Sequence, residues 1–392
     1  MSTLKVDAIR HNSATSDAIT TAADGTCTAK LTSIGGGGLS HRNLLINGAM
    51  NIAQRYTSST SHPAYGADRF RWGFGNHSAG TVTASQQSLT SSDTPYTLGF
   101  RQYTRLALGQ AGTAAANTYI NLTYKAEAQD IANSGWDYTS ASSYITVSFW
   151  FKCSTNQTFY AECKTVDGTA QSYVFSFTAS GNNTWTKITK TIPGNSNLQI
   201  DNDANAGFDI RWYLFYGTDY TNNKTLNSWS AYSGSNILPD MASTWLTAGA
   251  STFDVTGVQV EVGDTVTTFE HRSYQDEFLR CCRYYYKLER RFTAAGRGAG
   301  SSAYLASVST PVPLRAQPTL GTGTNSSSES FSIRVYKYDG ISDSSATPTV
   351  GTGGWAAGNN HITIYQGSHS VVDDRVLNIY MGGGYIDFNS EL

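Results

Sequence analysis

The chain has 392 residues, enough for two or three domains at about 150 residues each. Charged residues make up 14% and aromatic residues 12%, against ~25% charged in an average soluble domain, so hydroxyl and amide groups carry most of its polarity. With 27 Lys+Arg against 29 Asp+Glu the formal net charge is −2, which excludes recruitment to nucleic acid or an anionic membrane by bulk charge. The 8 Trp, 24 Tyr and 16 Phe supply enough apolar area to argue against a disordered chain.

The first 42 residues are rich in Thr, Ala and Ser and close on the run Gly35 to Gly38, a composition suited to a hinge. Its two short alternating pieces, around Leu4-Val6-Ala8 and Thr26-Thr28-Lys30, are too sparse in apolar groups to own a core. Residues 1–42 are therefore read as an extended docking arm, with a disordered tail as the alternative. The opening lacks the basic and apolar regions of a signal peptide, and no run of 18 apolar residues occurs, so neither export by that route nor a helical membrane span is expected.

From Asn43 to Arg272 strand follows strand, with period-two alternation bounded by Gly, Asn, Asp and Ser. Tyr144–Cys153 places Ile145, Val147, Phe149, Phe151 and Cys153 on one face, and Phe208–Tyr216 does so with Phe208, Ile210, Trp212, Leu214 and Tyr216. Tyr173–Phe177, Trp185–Ile192 and the stretch carrying Val258, Val260 and Val262 complete the clearest set. Many half-wet strands predict a mainly β fold, an antiparallel jelly-roll β-sandwich over residues 43–272. The period then changes: Ser273-Tyr-Gln-Asp276 begins like a capping box, and Phe278, Cys282, Tyr285 and Tyr286 fall on one helical face, predicting a helix to about Arg291. Beyond the Pro311–Pro318 turn segment, Phe331–Tyr338, His361–Tyr365, Val376–Tyr380 and Tyr385–Phe388 read as strands of a second, small β domain. The third unit thus covers residues 273–392, a helix followed by that domain.

Chemistry is sparse. The sequence lacks G-x-S-x-G, H-E-x-x-H, the phosphate-binding glycine loop and C-x-x-C, so no catalytic residue and no cofactor is assigned and the chain is read as a non-enzyme. Cys27, Cys153, Cys163, Cys281 and Cys282 are an odd count without metal spacing and are read as reduced, mostly buried thiols. His361 and His369 near Asp373 and Asp374 are read as solvated loop residues. Asp201, Asp203 and Asn205 repeat oxygen side chains at every second residue but depart from the EF-hand, with Gly207 late and Trp212 at the bidentate-Glu position. A polar turn is the preferred reading and a weak Ca²⁺ site the alternative. Trp136, Tyr138, Trp229 and Tyr232 stand in loop-like surroundings, either as stacking platforms for sugar rings or as packing residues. Without a visible Arg or Lys cluster, a neutral glycan is the expected ligand.

Several motifs carry a family likeness. Asn43-Leu-Leu-Ile-Asn-Gly-Ala-Met-Asn-Ile-Ala-Gln-Arg55, Ala67-Asp-Arg-Phe70, Val255–Gly263 running into Phe269-Glu-His-Arg-Ser273, and Cys281-Cys-Arg-Tyr-Tyr-Tyr286 together resemble tail-fibre or appendage proteins of tailed bacteriophages with a carbohydrate-binding-module-like jelly roll. The opening Ser2–Arg10 with Asp24-Gly-Thr26 is similar to fibre-like proteins of phages of marine bacteria, cyanophages included, and Val312–Thr319 and Ser390-Glu-Leu392 resemble the C-terminal domain of that family. The likeness runs through nearly the whole chain and implies no catalytic residues. Asp68-Arg69 is expected to form a local ion pair or hydrogen bonds near a strand start, and Glu270-His-Arg272 to cap the crossing from sandwich to helix.

The resemblance implies a virion structural protein, made in the host bacterial cytoplasm. Residues 1–42 would dock to other tail or capsid proteins, and the β domains would meet a host-surface glycan, with a homotrimer as the assembled state. A capsid fibre or a collar or tail adaptor without receptor role is the alternative. A glycan-degrading tailspike is the third reading, for which Asp137, Asp219 or Asp240 would have to supply paired carboxylates.

Overall fold

A computed structural model describes residues 41–289 without a break, together with 6–10, 12–13, 17–25, 27–29, 293–298, 304–324, 328–337, 340–344, 348–350, 360–366 and 376–392. The hinge glycines Gly35 to Gly38 lie outside the described residues, as do His369, Asp373 and Asp374.

In the arm, β1 (Ala8–Ile9), β2 (Ile19–Thr21) and β3 (Cys27–Ala29) form a small antiparallel sheet. Next come β4 (Ser58–Ser59), β5 (Ala64–Ala67), β6 (Phe70–Gly75), β7 (Val82–Ser88), β8 (Gln102–Leu108), β9 (Tyr119–Glu127), β10 (Tyr144–Cys153), β11 (Thr158–Thr165), β12 (Gln171–Thr178), β13 (Thr186–Pro193), β14 (Ala206–Tyr216), β15 (Trp229–Ala231) and β16 (Thr252–Val262). They build two antiparallel sheets, a six-stranded one in the order β13-β10-β16-β8-β7-β4 and a seven-stranded one in the order β15-β12-β11-β14-β9-β6-β5. This is the β-sandwich of jelly-roll type that the alternation predicts. Short helices α1 (Thr94–Thr97), α2 (Ala128–Ala132) and α3 (Thr244–Thr247) sit in its connections.

The core lies between the sheets because each strand turns its apolar residues inward at every second position. Ile145, Val147, Phe149, Phe151 and Cys153 of β10 all join it, meeting Phe208, Ile210, Trp212 and Leu214 of β14. Phe149 packs edge-on against Trp212 at 5.6 Å between ring centroids. The alternation breaks once in β14: a register shift between Tyr213 and Phe215 turns Phe215 into the core and Tyr216 out of it. Simple period-two counting puts Tyr216 on the wrong side, since a bulge advances the chain by one unpaired residue.

The helix is shorter than its pattern suggests. α4 spans Tyr274–Cys282, with the Ser273 hydroxyl accepting from the Asp276 amide, and its buried residues are Glu277, Cys281 and Cys282, with Phe278 only partly covered. Tyr285 and Tyr286 belong to β17 (Tyr285–Leu288), which pairs with β26 (Tyr385–Asn389) at the far end of the chain. The tyrosine run suits a pleated ladder better than a helical turn, and a sequence window cannot see the partner strand that recruits it. The remaining strands are β18 (Thr293–Gly298), β19 (Tyr304–Ser309), β20 (Thr319–Gly323), β21 (Ser332–Lys337), β22 (Gly340–Ser344), β23 (Thr349–Val350), β24 (His361–Gln366) and β25 (Val376–Gly383). They form a three-stranded sheet β17-β26-β20 and a seven-stranded sheet β22-β21-β25-β18-β19-β24-β23. His361 stands at the start of β24 with its Nδ1 3.0 Å from the Ser309 hydroxyl, so the loop reading fails there.

The quoted motifs meet at the junction of sandwich and helix. Asn47, in the left-handed region at φ 61°, donates through Nδ2 to the carbonyls of Ile52 and Asp68 and accepts the Ile52 amide. Its own amide is capped by Glu277. Arg272 donates to the carbonyls of Leu45 and Asn43 and to Glu270 and Glu277, while Glu270 accepts the amides of Arg42 and Asn43. Asp68 and Arg69 do not pair with each other. Asp68 accepts from Gln54 and faces Arg55, whereas Arg69 pairs with Glu391 and lies over the Tyr284 ring at 3.4 Å. Arg315 ties the Ala204 carbonyl of the sandwich to those of Ser390 and Glu391. These buried charges hold remote segments together, a structural duty.

Candidate functional site

The outer face of the seven-stranded sheet carries the polar side chains that the core excludes. Register sets them in rungs: Arg71 of β6 is opposite Thr123 of β9, Thr123 opposite Arg211 of β14, and Arg211 opposite Glu162 of β11. One step along lie Lys125, Asp209, Lys164 and Ser172; on the other side lie Gly73, Asn121, Tyr213 and Tyr160. At about 4.8 Å between strands, four such positions span roughly 14 Å. A groove of about 230 Å³ opens over them, lined by His62, Arg71, Tyr119, Asn121, Lys125 and Arg211 among others. Two glycines make the space: a Cβ on Gly75 would stand 2.7 Å from the Tyr119 ring, and one on Gly73 3.0 Å from Asn121 Oδ1.

Beneath the groove, the polar groups are held in place. Glu162 accepts from the hydroxyls of Ser172 (2.6 Å) and Tyr213 (2.5 Å). Burial, reinforced by the Glu162 charge, drives the Tyr213 hydroxyl well above its ordinary pKa, so it stays a donor. Asp209 is shared by Arg211 at 2.9 Å and Lys164 at 3.7 Å. Asn121 donates to the Tyr216 hydroxyl at 2.6 Å. Partial desolvation, with the Arg71 charge adding to it, lowers the pKa of His62; the ring sits edge-on to Phe74 and Tyr119. The groove thus offers amide, hydroxyl and guanidinium groups beside the rings of Tyr119 and His62, the mixture that holds a hydroxylated ligand.

A second cavity of about 210 Å³ lies on the outer face of the six-stranded sheet, against Phe100, Trp150, Lys187, Phe269 and His271. Gly257, at φ +61°, marks a bulge in β16, and a Cβ there would meet Phe100 at 2.8 Å and Trp150 at 3.1 Å. Its walls are mainly ring carbon.

The sequence-predicted stacking residues are not brought together as one platform. Trp136 is 3% exposed, inside the core, with its ring 6.2 Å from Phe208; such a ring has no free face, so it packs and does not stack on a ligand. Tyr138 and Trp229 are half-buried against the same core, donating to the carbonyls of Ile200 and Pro193. Tyr232 alone of the four lies on the polar face, with Lys164 Nζ 4.4 Å from its ring centre. Asp203 turns both carboxylate oxygens to the amide and side chain of Asn205, and Asp201 takes a bond from Gln199. Among the described residues no group of three or more His, Cys, Asp or Glu is placed to hold a metal ion. The expectation that no basic cluster exists is overturned: Arg71, Lys125 and Arg211 come from three strands far apart in the chain and converge in the groove. Alternation places each of them off the core face, but which strands lie side by side is invisible in the sequence.

No protein-family model matches the sequence, and no curated protein matches it. Solved structures similar to it include the enzymatically active domain of tailspike protein 4 of bacteriophage CBA120, with 13% identity and a TM-score of 0.29, covering 56% of this chain and 21% of that one. A family 11 carbohydrate-binding module from Clostridium thermocellum, in complex with a β-1,3-1,4-mixed-linked tetrasaccharide, has 12% identity and a TM-score of 0.25, covering 55% of this chain and 98% of the module. The N-terminal cellulose-binding domain of Cellulomonas fimi β-1,4-glucanase C has 11% identity and a TM-score of 0.23, covering 42% and 80%. The chain spans about a fifth of the tailspike structure, and likeness at this level assigns neither ligand nor partner.

Proposed function

We propose that the chain is a virion appendage protein, a tail fibre or a similar part, whose sandwich binds host-surface glycan in the groove across the seven-stranded sheet. The observation that carries this reading is the groove itself: ring faces, amides and hydroxyls on one rigid sheet, with their positions fixed by bonds beneath. The motif likeness to phage appendage proteins supports the virion setting. The arm supports docking, because its small sheet leaves Val6 42% and Ile9 54% exposed, apolar surface that a partner protein would cover. No catalytic pair is required, and the reading is of a binding and assembly protein that acts as a homotrimer.

Binding of the purified full chain to host cells, with competition by cell-surface polysaccharide, tests the glycan reading; unchanged adsorption under excess polysaccharide refutes it. Deleting residues 1–38 is expected to leave folded domains that fail to join particles, and normal incorporation refutes the docking arm. A monomer at micromolar concentration in light scattering refutes the trimer.

A further inference from the structure

One cation in the groove, Arg71, has no counter-charge beside it, and a second, Lys125, has only the shared Asp209 across the strand pair. Among the described residues, Arg71 and Lys125 make no side-chain hydrogen bond and no ion pair, although both line the groove. The carboxylates nearby are shared among several groups, and Asp209 uses one oxygen for both of its cations while its buried Oδ1 has no hydrogen-bond partner. Asp209 is held by Arg211 and Lys164, Glu162 by Ser172 and Tyr213, and Glu391 by Arg55 and Arg69. Arg211 keeps its buried Nε without a partner. Elsewhere in this chain Arg105 pairs with Asp254, Arg272 with Glu270 and Glu277, and Arg283 with Glu127. On this face Arg71, Lys125, Lys164 and Arg211 stand against the two carboxylates of Asp209 and Glu162, and this local excess of positive charge suits an anion from outside.

We infer that the groove takes a saccharide bearing carboxylate or sulfate groups, with Arg71 and Arg211 on either side of Thr123 receiving the acid groups and Lys125 adding charge. This rests on the glycan-binding reading and narrows it. Guanidinium groups match planar or tetrahedral oxyanions with two parallel donors, and the rings of Tyr119 and His62 supply contact for the sugar. The crowding is visible in Lys125, whose pKa is lowered first by burial and further by the charges of Arg211 and Arg71, against the pull of Asp209; an acidic ligand relieves it. The chain's net charge of −2 confines this attraction to the groove.

The test is titration of the full chain with polygalacturonate oligomers and their methyl esters, which differ only in charge, and with dextran sulfate and dextran. The acid forms are expected to bind at least about tenfold more tightly than the neutral forms, with affinity falling as salt rises. Carboxylate and sulfate arms then report which group is preferred. Arg71→Gln is expected to remove most of that preference at unchanged thermal stability, and Arg71→Lys to retain part of it. Equal affinity for acid and neutral forms overturns the charge assignment while leaving glycan binding intact. No binding to either acidic polymer overturns the inference, and the cell-adsorption competition then decides the broader reading separately. Single-stranded DNA bound as tightly as the acidic sugars overturns the saccharide part.

Discussion

Removing Arg272 is the sharpest probe of the junction. Its side chain is 8% exposed, and it bonds Glu270 at 2.9 Å, Glu277 at 2.9 Å, the Leu45 carbonyl at 2.9 Å and the Asn43 carbonyl. Arg272→Met keeps the apolar stem and deletes the charge, leaving Glu277, 9% exposed, and Glu270, 17% exposed, without their cation. Breaking a buried pair in this way costs about 3–5 kcal/mol. Both carboxylates keep their capping duties on the Asn47, Arg42 and Asn43 amides, so the damage is uncompensated charge together with the donors lost by the Leu45 and Asn43 carbonyls. Adding Glu277→Gln removes that charge while its amide oxygen still accepts from Asn47; the double variant is therefore expected to recover about 1–2 kcal/mol. Urea unfolding followed by tryptophan fluorescence reads this out, since seven of the eight tryptophans fall between residues 72 and 245. A single variant within about 0.5 kcal/mol of the wild type, or a double variant worse than the single, refutes the account.

Burial pushes the Glu127 carboxyl up, but hydrogen bonds from Arg283, at 2.7 and 2.8 Å, and from Tyr284 outweigh it and hold its pKa below the usual carboxylate range. Its contribution is thus present above the unfolded carboxylate pKa of about 4.3 and is lost as pH falls through the lower folded value; Glu127→Gln is expected to flatten urea midpoints measured between about pH 5.5 and pH 3. The thiols of Cys153, Cys163, Cys281 and Cys282 are free and buried, with burial raising Cys153 to about 11 and Cys282 to about 12. They are expected to resist a thiol reagent at about pH 8 until urea unfolds the chain. Gly48→Ala would place a Cβ 2.1 Å from the Val258 carbonyl oxygen and is expected to cost about 3 kcal/mol or more, whereas Gly234→Ala, with nothing within 4 Å, should stay within about 0.5 kcal/mol in the same denaturation assay.

The alternation of β10 and most of β14 was legible in the residues because a strand's side chains alternate whatever its neighbours are, and burying the apolar set leaves one way to face. The Ser273 cap was legible for the same reason, as it concerns residues three apart. What the chain order conceals is adjacency. The bulge that turns Tyr216 outward and the strand partner that ends the helix at Cys282 both depend on segments remote in sequence. Trp136 reads as a loop aromatic until Phe208 closes over it, and Arg71, Lys125 and Arg211 read as scattered single charges in a chain of low charge. Only the pairing of β6, β9 and β14 makes them one groove, because hydrogen-bonded strands lie about 4.8 Å apart however many residues separate them along the chain.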